Sequence, residues 1–316
     1  MKKLILLAFA CLTTGAPVMA ASCCGGGSAS GLILPKYGPA MVGATLSQET
    51  YQGYWDQSGV HHPDASGAKL FQTRLDLGAG YRIAPNWQAS VSVPYVWNHN
   101  EYASRSYSTQ GIGDMSANLW YENFDTITCI TEYREPADLI PAMYFGVGLL
   151  LPTGISPFDD AKESFDITGR GFYRFDGSVK VEKSIAGWNA GWSSTFSRYL
   201  QRPVNREYSQ WVEPYQKSLG DRQLHAMSFG YSWSLADSNS FTLTLSDSWL
   251  DEGAAKINHA AIPGSAIKKN SQSLGGAWAT MDKDWIIKGS LSQASSGISF
   301  PKTSTFSLGV NYVFFE

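Results

Sequence analysis

Apolar and polar residues alternate along much of this chain. Between Phe71 and Ile83 the odd positions read Phe71, Thr73, Leu75, Leu77, Ala79, Tyr81 and Ile83, while the even positions read Gln72, Arg74, Asp76, Gly78, Gly80 and Arg82. Successive side chains of an extended strand point to opposite faces, so this stretch predicts a strand with one apolar and one polar face. Residues 87–99 repeat the pattern, with Trp87, Ala89, Val91, Val93, Tyr95 and Trp97 against Gln88, Ser90, Ser92 and Asn98. Rings at both ends of an aliphatic stripe are what a lipid-facing surface needs at its two headgroup levels. The same test predicts strands near 41–52, 69–83, 87–99, 112–123, 142–151, 171–185, 188–200, 223–235, 240–250, 271–281, 285–295 and 304–315. A tilted strand crosses a bilayer in about 9–11 residues, and each segment is that long or slightly longer. The expected fold class is all-β, a transmembrane antiparallel β-barrel of about 12 strands with both termini periplasmic.

The connections sort by length. Those at 84–86, 186–187, 236–239 and 282–284 are short and built from Pro, Gly, Asn and Asp, as tight turns are. Those at 53–68, 100–111, 152–170, 201–222, 251–270 and 296–303 are longer. In such barrels the short turns face the periplasm and the long loops face outward. The link 124–141 breaks the rule, being long yet periplasmic, and it carries Cys129.

Three further features refine the picture. Lys2 and Lys3, the short apolar run from Leu4 to Leu12 and the small residues around Val18-Met19-Ala20 predict a signal peptide over 1–20. A Gly/Cys-containing periplasmic segment is then expected over 21–39 and the barrel over 40–316. Loss of Lys2 and Lys3 from 24 basic residues against 27 acidic ones leaves a net charge of about −5, which gives no reason to expect nucleic acid as a partner. Charged residues make up 16%, below the roughly one quarter of soluble domains, and aromatics 13%. The expected partners are outer-membrane lipid, lipopolysaccharide and a small-molecule solute. No cofactor is expected.

With the apolar faces in lipid, the lumen receives Arg74, Arg82, Arg174, Lys180 and Lys288 together with Asp76, Asp114, Glu122, Asp176 and Glu182. The two signs balance, so no ring of one charge announces ion selectivity. Pairing across a narrow barrel and a solute-facing ladder are both open readings. The last strand alternates Phe306, Leu308, Val310, Tyr312 and Phe314 with Ser307, Gly309, Asn311, Val313 and Phe315, and resembles the aromatic end read by barrel-insertion machinery, displaced by one residue because Glu316 follows.

Two short motifs carry a family resemblance. Gly111-Ile112-Gly113-Asp114 opens one predicted strand, and Leu151-Pro152-Thr153-Gly154 closes the next. With the signal peptide and the strand run, they resemble the outer-membrane family named for the meta-pathway of phenol degradation, over residues 70–316. The resemblance implies a channel or transporter, and the family's name points to aromatic or hydrophobic solutes. Read from the residues alone, the motifs are structural: glycines relieve crowding where a strand enters the barrel, Asp114 faces inward, and Pro152-Thr153-Gly154 stops a strand.

Cys23, Cys24 and Cys129 remain after signal removal, all on the periplasmic side of this topology. A disulfide from Cys23 or Cys24 to Cys129 is the first reading. Three thiolates holding a soft metal such as Cu(I) is the second. An enzyme is the main competitor to a channel, since some outer-membrane barrels are lipases. That chemistry needs a His with a Ser close by, and none of His61, His62, His99, His225 or His259 is followed two residues later by Ser. His61-His62 and the acidic pairs Asp159-Asp160 and Asp251-Glu252 read as solvated loops. A scaffold barrel that docks a periplasmic partner through the Cys129 link is the third reading.

Overall fold

A computed structural model describes residues 32–65, 68–102, 105–125, 129–130, 132–161, 166–235, 239–280 and 284–315. The wall is built from β1 (Ala40–Trp55), β2 (Lys69–Ala84), β3 (Trp87–Tyr102), β4 in two segments (Arg105–Ile112 and Met115–Glu122), β5 (Ala142–Leu151) and β6 (Arg174–Ile185). It continues through β7 (Trp188–Tyr199), β8 (Arg222–Ser234), β9 (Ser240–Glu252), β10 (Ile267–Ala279), β11 (Trp285–Ile298) and β12 (Phe300–Phe314). Each strand pairs antiparallel with its chain neighbour, and β12 pairs with β1 from Ala40↔Phe314 to Trp55↔Phe300. The sheet therefore closes into a barrel of 12 strands with no free edge, the form a sheet must take if lipid surrounds it.

Alternation decides which face looks out. Val42, Leu46, Leu77, Val91, Phe229, Leu245, Leu274, Leu291 and Leu308 are all exposed, and they form the outer band. Near the short-turn end this band is ringed by aromatics. Trp188 packs on Tyr231 at 4.9 Å, Trp233 on Phe241 at 5.9 Å, Trp285 on Tyr312 at 4.9 Å and Trp87 on Tyr121 at 5.1 Å. Amphipathic rings at that level anchor a barrel at a lipid interface. The β6–β7 turn uses Ala186 (φ 50°) and Gly187 (φ 83°), the two left-handed residues of a tight hairpin whose twist matches its strands.

The structure departs from the sequence expectation at the loop end. The segment 100–111, expected as a loop, is strand: Arg105–Ile112 pairs with β3 from Tyr102↔Arg105 to Tyr95↔Ile112. The segment 296–303 is also strand, and the chain reverses there at Ser299 (φ 49°). Within 201–222 lies a hairpin, Arg202–Glu207 with Gln210–Ser218, turned at Tyr208 and Ser209 with both φ positive. Asp251-Glu252 ends β9 rather than sitting in a loop. The barrel thus rises above its apolar band. On the short-turn side, Cys129 and Ile130 add a short parallel bridge to Ser184 and Ile185 of β6, followed by one 3-10 turn, Pro136–Leu139.

Candidate functional site: the lumen

The lumen has three levels. At the short-turn end, residues 32–39 enter the barrel before β1 begins. Leu32, Ile33 and Leu34 send their side chains alternately to opposite sides, before a turn in which the Gly38 N–H donates to the Pro35 carbonyl at 3.0 Å. Leu32 and Leu34 pack on Met41 and Val313 with Ile286 beside them, whereas Ile33 packs on Phe124, Ala142 and Tyr144 with Trp120 beside them. Three consecutive residues thereby bridge the bore, and all are buried. Gly80 makes room for the segment, because a Cβ there would lie 2.6 Å from Leu34 Cδ1.

One carboxylate holds this segment in place. Glu122, fully buried, accepts from Lys36 Nζ at 3.1 Å, from Arg82 Nη1 and Nη2 at 2.9 and 3.1 Å, and from Gln88 Nε2 at 2.5 Å. Gln88 Oε1 in turn accepts from the Leu34 N–H at 2.6 Å, and Arg82 Nη2 donates to the Pro35 carbonyl at 2.9 Å. Burying each of the three apolar side chains is worth roughly 1.5–3 kcal/mol. Ordering the backbone costs roughly 1–2 kcal/mol per residue. Ordering eight residues outweighs the burial of three side chains, so the segment depends on the ion cluster to stay.

Above the plug, the lumen is lopsided. The inward positions of β7 to β12 are small: Gly191, Ser228, Ser246, Ser273, Ser292 and Thr305 border a cavity of about 1240 Å³. On β2 to β6 several inward positions carry bulky or charged side chains, among them Arg74, Trp120, Tyr144 and Arg174. There Trp120 lies so close over Gly146 that a Cβ would sit 2.6 Å from the ring. The open lane therefore runs along the hydroxyl-lined half.

At the loop end, the segment between β5 and β6 is pinned to the wall by the two motifs. Asp114 accepts from the N–H groups of Gly154 at 3.1 Å and Arg170 at 2.7 Å. Thr153 Oγ1 donates to the Gly113 carbonyl at 2.7 Å, and Thr168 Oγ1 to the Ile112 carbonyl at 2.7 Å. Gly113 lets the loop close in, since a Cβ there would meet Thr168 O at 3.1 Å. Arg170 then reaches Glu252 through two bonds of 2.7 Å and Tyr199 Oη at 2.8 Å.

The ten charges expected in the lumen fall into separate groups. Arg82 and Glu122 meet at the plug. Arg174 pairs with Asp176 at 2.8 Å, Lys180 with Glu182, and Asp114 is committed to the loop. Arg74 donates to Gln72 at 3.4 Å, Asp76 is buried beside it on β2, and Asn311, with its amide turned, accepts from Lys288 Nζ at 2.9 Å. Sequence reasoning missed Lys36, Gln88, Arg170, Tyr199, Arg222 and Glu252. Following the inward alternation of β9 from Ser246 through Ser248 to Glu252 would have found the last; Lys36 and Arg170 lie in segments without period. Cys23 and Cys24 lie outside the described residues, and for Cys129 only the backbone is described. His62 pairs with Asp56 at 2.9 Å in the loop after β1, while His61 bonds the Gln52 carbonyl at 3.1 Å. Neither has a serine hydroxyl among its described partners.

No family model and no curated relative matches the chain. Solved structures do. An outer membrane channel from Pseudomonas putida F1 superposes with a TM-score of 0.63 at 17% identity, covering 89% of this chain and 97% of that one. This is an outer-membrane barrel fold. The β domain of the Bordetella autotransporter BrkA is similar at a TM-score of 0.51 and 12% identity, covering 88% of this chain and all of its own. The apolar exterior, ringed by aromatics near the short-turn end, suits the bacterial outer membrane.

Proposed function

We propose that this chain is a gated diffusion channel for small amphipathic solutes, aromatic ones among them. The observation that carries the reading is a 1240 Å³ lumen cavity together with a segment, residues 32–39, lodged across the barrel at its short-turn end. Solute would enter past the inward-folded loop, follow the hydroxyl-lined lane and leave when the plug withdraws. Withdrawal uncovers Met41, Ile286 and Val313 on one side and Phe124 and Tyr144 on the other, an apolar exit for a ring or short aliphatic body. The likeness to a solved outer membrane channel supports this reading, as does the resemblance to the phenol meta-pathway family.

Planar-bilayer recording tests it. The full chain should show small, infrequent steps, and a variant lacking residues 32–39 should show steps several-fold larger. A variant that inserts as a heat-modifiable barrel yet conducts no better than the full chain would remove the plug from the mechanism. Silence from both would remove the channel.

A further inference from the structure

Two polar groups near the loop end of the lumen are left over when all their neighbours are paired. Arg222 of β8 faces inward, directly opposite Ser197 of β7 on one side and Glu252 of β9 on the other. An arginine and a glutamate in cross-strand register ordinarily pair. Here both Glu252 oxygens are taken by Arg170, at 2.7 Å each, with the Tyr199 hydroxyl 3.5 Å from one of them. Asp176 is likewise held by Arg174, through Nε at 2.8 Å and Nη2 at 2.9 Å. Asp114 spends its oxygens on the Gly154 and Arg170 N–H groups. Among the described residues Arg222 therefore makes no hydrogen bond and no ion pair. Ser197, 1% exposed, has a hydroxyl that is also without a partner.

A guanidinium carries five donors in a planar fork; Arg222 is half-buried, with its donors open to the lumen, and the hydroxyl across from it on Ser197 is buried without a partner, which is costly. Such a pair fits a planar anion: the fork takes two carboxylate oxygens side by side, and the hydroxyl donates to one of them. The Tyr199 ring stands alongside, with the Arg170 and Arg174 guanidiniums 5.1 and 5.8 Å from its centroid. We infer that Arg222 and Ser197 form a carboxylate-binding subsite at the loop end of the lumen, which receives the head of a small organic monocarboxylate while its apolar body extends toward the lane. The subsite deepens the channel reading by naming a substrate class, amphipathic carboxylic acids.

Benzoate and its neutral analogue benzamide are suitable probes for the full chain in detergent micelles. Equilibrium binding, followed by saturation-transfer NMR and calorimetry, should favour benzoate over benzamide by about tenfold or more. Arg222→Gln should abolish that preference and Arg222→Lys should keep part of it, because an ammonium supplies charge without the fork. Heat-modifiable migration verifies that each variant folds. If Arg222→Gln does not fold, Ser197→Ala serves instead, with a loss of about threefold or more in benzoate affinity alone. Equal binding of benzoate and benzamide to the unaltered chain, or full benzoate affinity in Arg222→Gln, overturns the subsite. Bilayer recording separates the two proposals. Benzoate binding that depends on Arg222, in a protein that never conducts, would leave the subsite standing and remove the channel. Conduction without benzoate preference would do the reverse.

Discussion

Glu122 shows how much one side chain can govern in a barrel of this kind. It lies under two cations, Lys36 from the plug and Arg82 from the wall, with its own side chain out of reach of water. Removing the charge of a buried pair while leaving its partners in place costs roughly 3–5 kcal/mol. Glu122→Gln should therefore loosen the plug without opening the wall. Trypsin then cuts after Lys36 in the variant and not in the unaltered protein; equal protection in both would show that the apolar residues alone hold the segment. A second carboxylate, Asp56 in the loop after β1, has its pKa held down to about 2 by the hydrogen bond with His62 and then by the Val60 and Ser58 N–H groups. A folded pKa below the ordinary carboxylate value means that its contribution to loop order is present above that value and lost as pH falls through about 2. The amide signals of Ser58 and Val60, which donate to Asp56 Oδ1 at 2.8 and 3.0 Å, should accordingly stay put at pH 4 and shift only near pH 2. A midpoint at the ordinary value of 3.8 would show that the loop bonds do not form. At this scale Glu122 was legible because it sits on an alternating strand, whereas Lys36 follows Leu32-Ile33-Leu34-Pro35, a run without period or turn signal.

Among the elements, the loop between β5 and β6 has the clearest dependence on a single wall residue. Asp114 interrupts β4 between its two segments and holds Gly154 and Arg170 by their N–H groups. Bonds to a charged acceptor contribute about 1.5–3 kcal/mol each. In Asp114→Ala, amide exchange at Gly154 and Arg170 should accelerate by one to two orders of magnitude while β8 to β11 keep their protection. Unchanged exchange at those two amides would transfer the anchoring to Thr153 and Thr168. The periodic test placed all twelve wall strands, including the weakly alternating ones near 41, 271 and 285. It missed Arg105–Ile112 and the Arg202–Ser218 hairpin for one physical reason. Both lie beyond the apolar band, where the outward face meets water and headgroups, so nothing requires an apolar residue at every second position. Ser106, Ser108 and Gln110 are thus invisible to a search for hydrophobic alternation. The motifs Gly111-Ile112-Gly113-Asp114 and Leu151-Pro152-Thr153-Gly154 were legible as sequence, but their meeting was not. It depends on β4 and β5 being neighbours in register, Met115 opposite Leu151.

For the molecule as a whole, closure follows from strand number and pairing, while the position of the lane follows from the size of inward residues. Serines and glycines on β7 to β12 leave space; Trp120, Tyr144, Arg74, Arg82 and Arg174 fill it. Counting charges along the sequence gave balance, and at the loop end that balance conceals a local excess: Arg170 and Glu252, neither of them counted, take each other, and Arg222, also uncounted, is left over. The plug has a kinetic and thermodynamic meaning beyond its contacts. Residues 32–39 run directly into Ala40, so the stopper is tethered to the wall it seals. A group on so short a leash returns to its seat at an effective concentration on the order of millimolar, whatever the abundance of the protein. Withdrawal in the proposed channel is therefore self-limiting: unless something holds the segment or occupies its emptied seat, the segment closes the bore again.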